Sequence, residues 1–190
     1  MFVKCRGLIR WLVLLCALIF MPPDAEPESG EELPLRKLWS TADVVIVGRV
    51  ISVKQVKADA EHSDIPYYIE GYYDQAKILV EQSLKGTVTP RTNIYVGFEN
   101  MICPAPPKYE VGRDVLAFLK VGQAGVMHTV GLSSGAKDAS DRNRIKAYID
   151  AIGRLEPILK ESDWRSRKPL MTEWLVQCAE HPYLRWDGAY

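Results

Sequence analysis

Gly131-Leu132-Ser133-Ser134-Gly135 has the G-x-S-x-G spacing that presents a serine nucleophile, and Asp150 or Asp163 followed by His181 completes a Ser, Asp, His order. That chemistry is acyl transfer, with histidine taking the serine proton and an acid orienting the ring. It also demands a helix starting directly after the serine, and strand–helix units to hold an oxyanion hole. Here the helical pattern begins only about Asp141 and no βαβ alternation precedes it, so the segment reads as a loop of small polar residues and Ser133 is not assigned as catalytic. Metal chemistry is equally poorly served. His62, His128 and His181 are scattered, no H-x-x-x-H or C-x-x-C spacing occurs, and Glu61-His62-Ser63-Asp64 reads as a solvated turn. No metal or cofactor is expected.

Two other groups of residues bear on function. Tyr67, Tyr68, Tyr72 and Tyr73 are the densest aromatic cluster, beside the polar loop Asp59–Pro66. Exposed tyrosines anchor protein partners, whereas the same residues in a structural role would cap a barrel end or snorkel to water. Cys103 and Cys178 are the cysteines that remain once the first 25 residues are removed. In an oxidising compartment they can form one disulfide, and otherwise they are two buried thiols. Trp164-Arg165-Ser166-Arg167-Lys168 is a basic run that reads as a solvated linker between helices, or as a contact for a membrane surface or acidic partner.

The elements that position these residues follow from hydrophobic patterning. Ala42 to Val53 is a β-branched run with Gly48 at its centre, which predicts a long strand bent by a bulge or a barrel corner. From Tyr72 to Val80 period-two alternation puts Ala76, Ile78 and Val80 inward, and Lys85-Gly86 forms a turn. Ile94, Val96 and Phe98 repeat the alternation. Asp114 to Val121 is apolar on both faces and predicts a strand buried on both. Val126 to Gly131 completes a set of five strands. Without helices between them, these predict an antiparallel Greek-key barrel.

A short helical turn is expected over Arg36 to Ala42. After Gly135 the period lengthens: Ser140 is the expected N-cap of a helix carrying Ile145, Tyr148, Ile149, Ile152 and Leu155, ending before Pro157. A shorter helix is expected from about Thr172 to Glu180. The aromatic ending His181–Tyr190 resembles the start of a further helical unit.

The chain begins with the order of a secretory signal. Lys4, Arg6 and Arg10 precede an eleven-residue apolar run, Trp11 to Met21, and then Pro22-Pro23-Asp24-Ala25. About 20 apolar residues are needed to span a bilayer, so cleavage is the reading rather than an anchor. The mature chain would start near Glu26, have no stable membrane span, and be secreted or periplasmic. It would carry 21 basic and 23 acidic residues, a formal charge of −2. That balance lacks the clustered basic excess of a nucleic-acid binder. The expected organisation is a signal peptide over 1–25, a flexible mature N-terminus over 26–38, the barrel over 39–135 and a helical extension over 136–190.

Three phrases, Ala42–Val53, Ala76–Gly86 and Tyr109–Leu119, together resemble the TIMP-like, netrin-module-like OB-fold domains of secreted proteins. The resemblance covers about residues 39 to 135 and implies an extracytoplasmic binding module with an unidentified protein partner. In tissue inhibitors of metalloproteases the mature chain opens on a cysteine that chelates the protease zinc. Here no cysteine precedes Cys103 in the mature chain, so that device does not carry over. The readings that follow are a non-catalytic interaction module, a protease inhibitor working through a loop or barrel edge, and, last, an exported hydrolase using Ser133.

Overall fold

Stiff β-branched residues give the first strand its length, and one glycine lets it serve two neighbours at once. A computed structural model describes residues 33–57, 72–98, 105–122 and 125–188. Helix α1 (Leu35–Thr41) precedes strands β1 (Val44–Lys57), β2 (Tyr72–Lys85), β3 (Asn93–Phe98), β4 (Asp114–Val121) and β5 (Val126–Thr129). A 3-10 turn (Leu132–Gly135) and strand β6 (Ala136–Asp138) lead to helices α2 (Arg142–Lys160), α3 (Trp164–Glu180) and α4 (Arg185–Gly188). The expected signal segment lies outside the described residues. Of the segment 26–38 expected to be flexible, the part from Leu35 onward is helical, with Leu35 and Leu38 fully buried on α1.

The sheet has six strands in the order β1-β2-β3-β5-β4-β6, and a further β1–β4 pairing closes five of them into a ring. Strand β1 pairs with β2 along one edge and, over Val44–Arg49, with β4 along the other. Register shifts in β1 fall at Val45/Ile46, Val47/Gly48 and Val50/Ser52, where the strand must bend to close the ring. At Gly48 a Cβ would lie 2.5 Å from the Leu79 carbonyl oxygen, so the close approach of β2 requires glycine there. Arg49 and Asp114 face each other in the β1–β4 register and form a two-pronged ion pair at 2.7 and 3.1 Å that marks the seam. The pairings are antiparallel except β3–β5, which is parallel, a departure from the all-antiparallel expectation. Strand β6 was not anticipated. It pairs with Val115–Ala117 of β4, inside the segment read as wholly helical.

Alternation sends each strand's apolar residues to one of two cores. Inside the ring lie Ile46, Val50, Ile78, Val96 and Leu119 and their neighbours. The second core holds Val45, Val47, Leu116 and Phe118 against α1 and the helices that follow. Strands β1 and β4 contribute to both, which is why Asp114–Val121 reads as apolar on both faces. Near one end of the ring Tyr109 is buried, stacks at 5.1 Å on Phe98 and shares a 2.7 Å hydrogen bond with the Thr129 hydroxyl. Burial keeps its phenol protonated well above the ordinary range.

Helix α2 lays Tyr148, Ile152 and Leu155 on the second core, as its spacing predicts. Its N-cap is Asp141 rather than Ser140, the carboxylate accepting from Asn143 N and Arg144 N at 2.8 and 3.3 Å. The helix runs on through Pro157 to Lys160, since a proline in the last turn costs a single backbone bond. Helix α3 starts at Trp164, eight residues before the expected Thr172. Asp163 caps it, accepting from Arg165 N and Ser166 N, so the basic run forms its first turns instead of a linker. Trp174 is buried between the helices and donates its indole N–H to the Ala151 carbonyl at 2.9 Å. The buried Asp187 carboxylate of α4 accepts the first backbone N–H of α1, from Leu35, at 2.7 Å.

Candidate functional site

The outer surface of β2 and β3 is where the ring presents a large aromatic to solvent. In β3 the inward residues are Ile94, Val96 and Phe98, so Tyr95 must point outward, and it is 40 % exposed. The register sets Tyr95 beside Lys77 of β2 and Val126 of β5, with Ser52 of β1 next to Lys77. Side chains directly opposite on neighbouring strands are close enough to interact. Tyr73 of β2, Val56 of β1 and Val126 of β5 form a small apolar cluster of their own. The Gln75 amide reaches the Tyr73 hydroxyl at 3.4 Å.

The sequence-derived site residues therefore separate. Tyr67 and Tyr68 lie outside the described residues, in the connection between β1 and β2. Tyr72 opens β2, its backbone paired with Lys57. Tyr73 is only 2 % exposed, which corrects its assignment as a partner-binding residue: its ring is consumed by packing on Val56 and Val126. Gln75, two residues on, is buried as well. Tyr95 carries no motif of its own, but the alternation that turns Ile94 and Val96 inward turns this tyrosine outward.

The serine motif does not assemble as an elbow. Ser133 is exposed on the 3-10 turn and a strand, β6, follows it where a helix is required. The left-handed backbone falls on Gly131 and Leu132, at φ of 64° and 52°, not on the serine. Asp163 caps α3, Asp150 pairs with Lys146 at 3.5 Å, and His181 Nδ1 accepts the Tyr183 N–H at 3.3 Å. The neighbouring Ser134, buried, is the one engaged by the fold: its hydroxyl accepts the Leu33 N–H at 3.0 Å. Among the described residues no group of three metal-ligating side chains converges, and no helix is long and apolar enough to cross a membrane.

Cys178 is a free thiol buried in the helical core, and Cys103, with which it is expected to be able to pair, lies outside the described residues. Cys178 sits on the face of α3 turned toward α2 and the core. Burial first, and then the charge of Asp187, push its pKa up to about 11 from 9.0, with Arg154 opposing. The folded state thus favours the neutral thiol. Its contribution to stability is complete below pH 9 and is lost as pH rises toward 11. In a chain carrying Cys178 as its single cysteine, alkylation at pH 8 should proceed only after denaturant is added. The urea midpoint should fall above pH 9 more steeply than in Cys178→Ala. Rapid alkylation of the native chain would contradict the burial.

No family model matches this chain, and no curated protein matches it.

Proposed function

We propose that this chain is an exported, non-catalytic protein-interaction module built on an OB-like barrel, with the outer face of β2 and β3 as its docking surface. The observation that carries this reading is the strand ring β1-β2-β3-β5-β4, closed by β1–β4, with Tyr95 standing out of its β2–β3 face. OB barrels use the face of their second and third strands, with the adjoining loops, to hold extended ligands. The connection between β1 and β2 adjoins that face in the chain and carries Tyr67 and Tyr68. A mature charge of −2 favours a protein partner over a nucleic acid. Export rests on the basic start, apolar run and small-residue ending of the first 25 residues.

The test is capture by the mature protein from the host's envelope fraction, identification of the captured protein by mass spectrometry, and titration of that pair. Tyr95→Ser should weaken the interaction about tenfold, the loss typical of an exposed aromatic anchor, while the thermal midpoint stays within a degree or two of the parent. Unchanged affinity after Tyr95→Ser, Tyr67→Ser and Tyr68→Ser together would remove the docking face from β2–β3.

A further inference from the structure

The two edges of strand β1 are not used alike. One pairs with β2 from Val45 to Lys57, whereas the other pairs with β4 only over Val44–Arg49. That seam ends at Val50, which donates to the Arg113 carbonyl at 2.9 Å and accepts from Gly112 N at 2.8 Å. Gly112, at φ of 83°, lies in a tight turn there, closed by Arg113 N donating to the Glu110 carbonyl at 3.0 Å. Residues 51–57 run on for about 23 Å at the rise of a strand, with no strand on this edge among the described residues. On such an edge alternate N–H and C=O groups point away from the sheet and form a template for an added strand. Ile51 begins it. This isoleucine is the extra residue of a bulge, without a partner in β2, and is 42 % exposed.

Charge beside this edge is lopsided. Lys54 stands opposite Gln75 and Lys77 opposite Ser52, so the alternation of side chains puts both lysines on the outer face, with Tyr95 next to Lys77. Neither makes an ion pair among the described residues. Asp74, opposite Gln55, lies on the other face, where Lys57 balances it. Arg49 is already held by Asp114, and Glu81 lies close to it. The outer face of the open edge thus carries two positive charges that no described residue answers. Lysines at an edge keep identical edges apart, because a second copy would bring the same charges together. They leave the edge open to an acidic strand, so the feature that deters self-pairing also selects a partner.

We infer that the open edge of β1 takes an acidic, extended peptide as an added strand, its backbone pairing with residues 51–57 and its carboxylates facing Lys54 and Lys77. Ile51 supplies an apolar contact at one end. The inference rests on the docking face proposed above, which Lys77 shares with Tyr95, and adds the chemistry of the partner. Main-chain hydrogen bonds supply affinity whatever the peptide's sequence, and the lysines supply the preference for acids.

The probe is an end-blocked octapeptide of alternating glutamate and valine, titrated into the folded chain and followed by the amide resonances of residues 51–57. Saturable shifts are expected, and the affinity should fall at least about threefold between about 50 and about 300 mM salt. An analogue N-methylated at every residue keeps the charge but loses the backbone donors, and should bind at least about tenfold more weakly. The matching lysine–valine octapeptide should give no saturation. Lys54→Glu combined with Lys77→Glu should weaken the probe about tenfold with the thermal midpoint unchanged, since both side chains lie on the outer face. No saturation up to about 2 mM probe, equal binding of the N-methylated analogue, or unchanged affinity in the double variant would each overturn the inference. The captured partner separates this inference from the docking face. Its loss of affinity in Tyr95→Ser but not in the double lysine variant would overturn the acidic strand and leave the face standing. Loss in the lysine variant alone would support the strand and remove Tyr95 from the face.

Discussion

Trp174→Ala is expected to lower the unfolding free energy by about 3–5 kcal/mol, the largest single effect in this chain. Trp174 is 2 % exposed and lies in the core that joins α1, β1, β4, α2 and α3. Truncation removes its burial, leaves a void too large for neighbouring helices to fill, and strips the Ala151 carbonyl of its 2.9 Å donor. Trp164→Ala is the matched control: the same residue type on the same helix, but 59 % exposed, so its expected cost is under about 0.5 kcal/mol. Urea midpoints at constant slope separate the two. Equal costs would mean that α3 does not dock on α2 through Trp174.

A second pair of variants reads the sheet register. Ile78 is fully buried inside the ring, between Val50 of β1 and Ile94 of β3, and Ile78→Ala should cost about 2–5 kcal/mol. Its neighbour Lys77 faces outward beside Tyr95, and Lys77→Ala should cost under about 0.5 kcal/mol. Because side chains alternate with a period of two, a slip of one residue would exchange these results. Unfolding curves of the two variants therefore test the register of the ring's second strand directly.

Where burial follows from local pattern, the sequence was a sufficient guide. Ala76, Ile78 and Val80 turn inward as their alternation requires, and Val115 to Leu119 are buried throughout because β4 feeds two cores. Gly48 lies at a bend for the reason its lack of a side chain suggests. What was not legible depends on residues far apart in the chain. Tyr73 and Gln75 sit on a face that alternation assigns to solvent, and only the arrival of Val56 and Val126 covers it. Strand direction in the β3–β5 pair leaves no mark in either segment. Ala136-Lys137-Asp138 has no strand-forming residue and becomes β6 through its partner β4. The basic run Trp164–Lys168 carries no apolar period to mark the first turns of α3, whose start is declared by the Asp163 cap instead. At the candidate site the tyrosines beside the polar loop stand out by composition, whereas Tyr95 is marked only by its outward place in the alternation of Ile94, Val96 and Phe98.

The hydrogen bond from Leu35 to Asp187 also sets an order in time. It joins residues 152 positions apart, so α1 lacks this acceptor until Asp187 has been made. The ring itself waits on β4, whose residues must arrive before β1 gains its second edge. Contacts of such separation are formed late, because loop-closure entropy must be met before they reward it. The ring can therefore close once β4 and β5 have been made, whereas the Leu35–Asp187 bond forms only after α4 follows them.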